Sequence, residues 1–383
     1  MLYFFSLSHS GHARVNNTRD RAVISGVAVT ETPLRTKARD SVLKFLRLSG
    51  GLRVTSRSRW RSRRLLILCY HGFAQADENA WDPQLYVSAE HLKARLHFLL
   101  DHGYTVLPLG EGLARMNAGT LPPRAVAITI DDGAYDFCSV AYPILQRLGI
   151  PVTVYVATYH VFDRRPVFDV AFRYLIWKAL ASGPLTVEDP ADENPLAIAS
   201  AQDYGRVTAR IHQTVRQSGW SAERKQEWMR ELAGKLGLDW QNFLDRRLLA
   251  LMHPEEIANL DPKIADIQLH THRHRVPEDR DLFLREIHDN RQALEKCGLD
   301  PAGRVHFCYP SGVHRRSFLS WLSEAGIVSA VTGTPGLASR GSHPLLLPRF
   351  IDASRTSDVE FEAWASGFRQ LVHRPTRAFG IDA

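Results

Sequence analysis

AVAITIDDG, residues 125–133, is the stretch that decides the fold. Its first six residues are mostly apolar and do not alternate with polar ones, which predicts a strand covered on both faces. Two adjacent carboxylates, Asp131 and Asp132, follow at once, and Gly133 permits a sharp turn after them. We therefore expect a buried strand that ends in two acidic side chains at one edge of a sheet.

The residues after this stretch complete a strand–helix–strand unit. Residues 135–148 have the pattern of a helix, Gly149 ends it, and residues 152–157 form a second apolar run. Such a unit predicts parallel pairing of its two strands. Earlier in the chain, residues 65–70 form another unbroken apolar run, which ends at His71.

Further strand and helix patterns follow along the chain. Strands are expected at 267–269, 305–309, 328–331 and 345–350, and helices at 281–296 and 318–325. Repeated strand and helix alternation, with acidic or histidine residues at strand ends, is typical of an α/β barrel whose chemistry gathers at one rim. We expect this barrel over residues 65–355, with a helical insertion over about 160–262 and a C-terminal helix and tail over 356–383.

The basic character of the chain belongs to its first 64 residues. Residues 1–64 carry 14 Lys and Arg against 3 acidic residues, whereas residues 65–383 carry 34 against 38. Clustered cations can attract anionic lipid headgroups or phosphates, but such runs usually stay in water. We expect a poorly ordered basic extension, with peripheral membrane contact through residues 1–64 as an alternative and no nucleic-acid partner.

Two features of the sequence concern the cellular location of the protein: its cysteines and the lengths of its apolar segments. Cys69, Cys138, Cys297 and Cys308 show no paired spacing, so buried, reduced thiols are expected. The amino terminus has no recognisable signal peptide, and no segment approaches the roughly 20 apolar residues of a membrane span. A cytoplasmic or peripheral membrane location is expected, and the oligomeric state stays open.

A second segment with candidate metal-binding side chains is HTHRH, residues 270–274, which follows the strand expected at 267–269. Neutral imidazoles are frequent ligands of zinc-like metals. One strand-end carboxylate and two imidazoles would leave a coordination position for water, which is typical of a catalytic site. We therefore predict a divalent metal ion, zinc first, with cobalt and nickel as alternatives.

Three segments together resemble the polysaccharide deacetylases, the NodB-homology group or carbohydrate esterase family 4. They are AITIDDG at 127–133, HTHRH at 270–274 and FCYPSG at 307–312, supported by CYHG at 69–72 and LPR at 347–349. The likeness covers roughly residues 65–355. It implies a distorted (β/α) barrel and a hydrolase that removes N-acetyl groups from a sugar of a polysaccharide or glycan precursor, with an acetylated oligo- or polysaccharide as substrate.

The resemblance also implies roles at the rim. Asp132, His270 and His274 match the family's metal ligands, and Asp131 matches its general base. The metal would polarise the acetamide carbonyl and lower the pKa of the attacking water, from which Asp131 removes a proton.

In the third motif, the resemblance implies that the backbone N–H after the proline, here that of Ser311, binds the developing oxyanion. Tyr309 and Pro310 lie beside it in the expected substrate-binding region.

Two departures from the family pattern concern the proton donor and the arginine that orients the base. Arg349 stands where the family commonly has a late histidine, so His71 is the candidate general acid, with His343 as a second. Arg349 itself is expected to bind an acidic sugar or to orient Asp131. The family's base-orienting arginine often opens the third motif, whereas here Arg304 lies three residues before Phe307.

Two other functions compete with this interpretation. His270 and His272 also match the His-x-His pair of amidohydrolase barrels, which would act on another C–N amide bond. The missing late histidine is alternatively consistent with a non-catalytic glycan-binding homologue.

Overall fold

The structure, a computed structural model, describes residues 33–372, so predictions for residues 1–32 and 373–383 lie outside it. The strands are β1 (Leu65–Tyr70), β2 (Gly72–Phe73), β3 (Tyr86–Val87), β4 (Thr105–Val106), β5 (Ala125–Ile130), β6 (Val152–Val156), β7 (Leu185–Asp189), β8 (Asp192–Ile198), β9 (Ala265–Leu269), β10 (His306–Cys308), β11 (Ser329–Val331), β12 (Leu337–Ala338) and β13 (Phe350–Ile351). The α-helices are α1 (Pro33–Leu48), α2 (Gly51–Ser56), α3 (Arg59–Ser62), α4 (Glu78–Trp81), α5 (Ala89–Asp101), α6 (Leu109–Ala118), α7 (Tyr142–Leu148), α8 (Phe168–Ala179), α9 (Ala201–Gln217), α10 (Ala222–Lys235), α11 (Trp240–Asp245), α12 (Pro254–Ala258), α13 (Arg280–Lys296), α14 (Arg316–Glu324), α15 (Asp358–Ala365) and α16 (Phe368–Val372).

Nine strands form one curled sheet in the order β11-β10-β9-β6-β5-β1-β12, with β4 beside β5 and β13 beside β1. Every pairing in this sheet is parallel except that of β1 with β12. A parallel bridge between Val331 and Leu347 connects β11 to the segment that leads into β13, which pairs with β1. The sheet therefore curls towards closure through an irregular last step, and the expected distorted barrel is confirmed.

The central strands are buried on both faces, as their unbroken apolar sequences predict. Because side chains alternate along a strand, each strand contributes to two separate clusters. The inner cluster contains Leu65, Ile67, Ala125 and Ala127, and the outer cluster contains Leu66, Leu68, Val126 and Ile128. Continuing the inner series of β5 through Thr129 places Asp131 on the interior side of the barrel.

The segment before the barrel differs from the expectation of a poorly ordered extension. Residues 33–62 form α1, α2 and α3. Leu43 and Leu52 are buried against Val359 and Ala363 of α15. The expectation was wrong for these residues because their apolar side chains find partners some 300 positions later, which local sequence does not reveal. Within the described residues, no helix is long and apolar enough to cross a membrane.

The insertion at about 160–262 is mostly helical, as expected, with α8 to α12 inside it. It also contains an antiparallel hairpin, β7–β8, which the sequence did not predict. Most residues of β8 are exposed and two are acidic, so this strand lacks the apolar alternation that would have revealed it. Apolar residues of α8, α9 and α10 belong to the same buried cluster as the outer face of the barrel.

Candidate metal and active site

The candidate site lies at the carboxyl ends of parallel strands. His71 follows β1, Asp131 and Asp132 follow β5, and His270 follows β9. In the sheet β6 lies between β5 and β9, and carboxyl ends of parallel strands meet at the same edge. This geometry brings Asp132 and His270 together although they are 138 positions apart in sequence.

Asp132, His270 and His274 form a compact, buried group. Oδ1 of Asp132 lies 3.2 Å from Nε2 of His270 and 3.2 Å from Nε2 of His274. One ligand atom from each of the three residues lies within 4.8 Å of the other two. The structure thus brings together the three residues predicted as metal ligands.

The protonation of His270 tests whether a metal fits. Its Nδ1 lies 2.9 Å from the carbonyl oxygen of Cys308, which can only accept a hydrogen bond. In the neutral ring Nδ1 therefore carries the proton, and Nε2 directs a lone pair at Oδ1 of Asp132. Two acceptor atoms facing each other at 3.2 Å repel, and either a metal ion between them or a second proton on the ring removes this repulsion. This donor set, one carboxylate and two imidazoles, fits a divalent ion of the zinc type.

The loops that present these groups hold unusual backbone conformations. Non-glycine residues with a positive φ at the rim are Asp132 (φ 74°), Thr271 (φ 60°), His274 (φ 51°) and Ser311 (φ 56°). Such conformations cost free energy and cluster at functional sites. Gly133 is needed at its position, because a Cβ there would lie 2.8 Å from Cγ1 of Val156.

Asp131 lies deeper than Asp132 and is held by a buried arginine. Nη1 and Nη2 of Arg349 donate to its two carboxylate oxygens at 2.7 and 2.8 Å. The thiols of Cys308 and Cys69 approach Oδ2 at 3.3 and 3.6 Å. Burial opposes ionisation of Asp131, but the charge and hydrogen bonds of Arg349 outweigh it and hold the pKa of this carboxyl well below its ordinary value.

Arg349 therefore orients Asp131, one of the two roles expected for it. The other expectation, contact with an acidic sugar, is wrong in this structure, because Arg349 is only 3% exposed and also donates to the Thr332 carbonyl and to Oγ1 of Thr129. Arg304 does not take this role, since its guanidinium donates to the Ile267 carbonyl. The parallel bridge between Val331 and Leu347 closes this side of the barrel, and Arg349, two residues later, reaches Asp131.

His71 and Asp132 line a cleft. The other lining residues are Gly72, Leu85, Tyr86, Ala134, Val167, Val170, Leu249, Ala250 and Leu251. Nε2 of His71 lies 3.7 Å from Oδ2 of Asp131, and its side chain is 17% exposed against 3% for Asp131. Burial lowers the pKa of His71 despite the nearby carboxylates. His71 is therefore placed between the cleft and Asp131, and the insertion supplies most of the apolar wall.

The third motif is divided between the interior and the surface. The Tyr309 hydroxyl donates to the Leu345 carbonyl at 3.1 Å, and its backbone N–H donates to Val331 at 3.3 Å. Tyr309 is thus a buried structural residue, which corrects its expected place in the substrate-binding region. Pro310 is also buried, whereas Ser311 is exposed. The oxyanion role of the Ser311 backbone N–H stays a prediction.

His272 does not join the metal group. Its Nδ1 lies 2.9 Å from Oγ1 of Thr158, and its ring packs against Tyr159. Among the described residues, each group that could hold a metal and contains His270 pairs it with an aspartate and either His274 or Cys308. The geometry therefore gives no support to the His270/His272 pair of an amidohydrolase.

Asn290 is a positioning residue that the sequence analysis missed. Its Oδ1 accepts the His270 backbone N–H at 3.0 Å, and its Nδ2 donates to the Val156 carbonyl at 3.0 Å. A signal was available: Asn290 is a polar residue in the buried stripe of α13, between Ile287 and Leu294. A polar side chain at such a position requires hydrogen-bond partners inside the protein.

Comparisons with known proteins agree with this architecture. No protein-family model matches the chain. The Bacillus subtilis protein YxkH, provisionally described as a polysaccharide deacetylase, is 30% identical over 93 residues, which span 24% of this chain and 31% of YxkH. The chain thus matches about a third of the length of this curated relative.

Two solved structures share the fold over most of the chain. The deacetylase PplD of Streptococcus pyogenes, in complex with acetate, has a TM-score of 0.51 and 18% identity, covering 81% of this chain and 99% of PplD. IcaB from Ammonifex degensii has a TM-score of 0.50 and 17% identity, covering 79% of this chain and 97% of IcaB. At such identities the likeness establishes the fold. The chain has the fold of the polysaccharide deacetylases, which confirms the resemblance predicted from its motifs.

Proposed function

We propose that the chain is a metal-dependent hydrolase that removes N-acetyl groups from a sugar of a polysaccharide or glycan precursor. The observation that carries this proposal is the group of Asp132, His270 and His274 at the edge of a cleft, with an oriented carboxylate, Asp131, behind it. The PplD structure, which shares the fold, contains acetate, the product that such a reaction releases.

Asp132, His270 and His274 would hold the metal, with zinc first and cobalt or nickel as alternatives. When bound, such an ion polarises the amide carbonyl and makes a water molecule more acidic. Asp131 accepts the proton of the attacking water.

His71 is the proposed proton donor to the leaving amine. It lines the cleft and lies 3.7 Å from Oδ2 of Asp131, so it can receive a proton from that side and deliver it to the cleft. Exposed Ser311 supplies the proposed backbone N–H for the developing oxyanion.

The test is acetate release from N-acetylated oligosaccharides by the full chain supplied with zinc, cobalt or nickel. His270→Ala should lose both metal binding and acetate release. The matched variant His272→Ala should retain both, because His272 bonds to Thr158 and lies outside the group. Metal binding that survives His270→Ala but not His272→Ala would contradict the assignment. Metal-loaded protein that binds the sugar without releasing acetate would be a non-catalytic homologue.

A further inference from the structure

Helices α1 and α2 form a layer with one face fixed to the protein. Leu43 and Leu52 are 3% and 1% exposed, and they pack with Val359 and Ala363 of α15. Arg47 adds an ion pair to Glu362, with Nε 2.7 Å from the carboxylate. The orientation of the opposite face is therefore set by packing.

That opposite face carries large apolar side chains into solvent. Val42, Phe45, Leu48 and Val54 are 59, 69, 87 and 73% exposed. They are four of the twelve large apolar side chains that are exposed among the described residues, and two more, Leu371 and Val372, lie on α16 beside α2. Half of these exposed side chains are thus concentrated on three helices. Exposed apolar residues that are scattered singly over a protein surface are normal, whereas such a concentration indicates an interaction site.

Cations surround these apolar residues. Residues 39–64 contain nine Lys or Arg and a single acidic residue, Asp40. The exposed cations are Lys44, Arg47, Arg53, Arg57, Arg59 and Arg63, of which Arg47 is paired with Glu362. Apolar residues on one side of a helix, bordered by Lys and Arg, are characteristic of helices that lie in the plane of an anionic membrane surface.

We propose that the face formed by Val42, Phe45, Leu48 and Val54, with its surrounding cations, docks on an anionic lipid bilayer. The apolar side chains would enter the boundary between headgroups and acyl chains, and the cations would contact phosphates. A second copy of this chain is a poorer partner, because two such faces would bring like charges together. A nucleic acid would use the cations but not the four apolar side chains.

This face is remote from the reactive groups. Helix α3 leads into the amino end of β1, and Arg61 of α3 donates to the carbonyl of Ala125, the first residue of β5. The metal-ligand group follows the carboxyl end of the same strand. Substitutions on the docking face should therefore leave hydrolysis of a soluble substrate unchanged, which makes activity a check of folding.

The test is cosedimentation of the full chain with vesicles that contain phosphatidylcholine and phosphatidylglycerol, compared with vesicles of phosphatidylcholine alone. We expect binding to the anionic vesicles that weakens at high salt. The double variant Phe45→Ser, Leu48→Ser should bind at least about tenfold more weakly. Replacing Arg53 and Arg57 with Ala should weaken binding roughly fivefold per cation.

A matched control replaces two exposed apolar residues elsewhere, Leu282→Ser and Val328→Ser, which are 46 and 56% exposed. This control should bind like the parent. The proposal is overturned if the parent does not bind anionic vesicles, or if the Phe45, Leu48 variant binds as well as the parent. Two further outcomes overturn it. In the first, light scattering shows that the parent and the control are dimers whereas the Phe45, Leu48 variant is a monomer. In the second, duplex DNA fully displaces the parent from the vesicles.

Discussion

The two ends of the barrel each contain a buried arginine, and the two are used differently. At the carboxyl end, Arg349 pairs with the carboxylate of Asp131 through two hydrogen bonds. At the amino end, Arg61 is fully buried and donates to three backbone carbonyls, those of Ala365, Arg64 and Ala125, at 2.9, 2.7 and 3.0 Å.

Their pKa values shift in opposite directions for this reason. Burial disfavours both guanidinium charges, but Asp131 raises the pKa of Arg349 well above its ordinary value. The hydrogen bonds of Arg61 go to carbonyl groups, which carry no formal charge, and burial lowers its pKa to about 10. The difference shows that Arg349 orients the charged carboxylate of Asp131 near the cleft, whereas Arg61 connects α3 and α15 to the barrel through hydrogen bonds.

The largest expected effect comes from the carboxylate itself. Asp131→Asn keeps the shape of the side chain but removes the proton acceptor, so kcat should fall roughly 10²–10⁴-fold. Zinc content should stay at the parent level, because the three ligand residues are intact. Parent-level acetate release by zinc-loaded Asp131→Asn would show that the two ends of the barrel do not differ as we infer.

Arg349→Met should lower both activity and stability. We expect a loss of about 100-fold in kcat, because Asp131 loses its orientation. Urea unfolding should show a loss of about 3–5 kcal/mol, because a buried carboxylate is left uncompensated. The acidic limb of the pH–rate profile should move to higher pH as the pKa of Asp131 rises, and Arg349→Lys should restore part of the rate.

A double variant separates orientation from folding. Arg349→Met combined with Asp131→Asn should regain part of the lost stability without regaining activity, because no buried charge is left unpaired. Equal stability of the single Arg349→Met variant and the double variant would argue against the ion pair.

Arg61→Met should lower stability without affecting the chemistry. Three carbonyl groups would lose this donor, two of them in buried hydrogen bonds, so the free energy of unfolding should fall by about 3 kcal/mol in urea titration. The kcat of the folded fraction should be unchanged, because Arg61 lies at the opposite end of β5 from the metal-ligand group. A rate loss comparable to that of Arg349→Met would remove the distinction between the two arginines.

The smallest expected effect is on the pH dependence of stability. Burial lowers the pKa values of His71 and His274 below the ordinary 6.5. As the pH falls below 6.5, the unfolded chain takes up protons that the folded chain does not, so the metal-free protein should become less stable. The loss continues until the pH reaches the lowered folded-state values.

Urea unfolding between pH 7.5 and pH 5, roughly one unit to either side of an ordinary histidine pKa, measures this slope. His71→Gln should reduce the slope. The carboxylate Asp131 contributes in a separate window, because its lowered pKa means that its stabilising effect is lost only at much lower pH.

Much of the site could be predicted from local sequence. The unbroken apolar run of β5 predicted a strand buried on both faces. Because side chains point alternately to the two faces of a strand, Asp131 lies on the interior side of the barrel. The motif resemblance pointed to Asp132, His270 and His274, and the structure brings these side chains together. A short stretch is enough for such predictions, because the side-chain pattern of a strand and the residue preferences of a turn each involve only a few neighbouring residues.

The partners of these residues were decided only by tertiary structure. The ion pair of Asp131 with Arg349 joins residues 218 positions apart, and the hydrogen bond of Arg61 to Ala365 spans 304. By itself the sequence determined the strand that presents two carboxylates and the histidine segment that meets them. Closure of the barrel decided which arginine holds Asp131, and packing against α15 ordered the helices before β1. Both depend on contacts between distant parts of the chain, which no local pattern of side chains encodes.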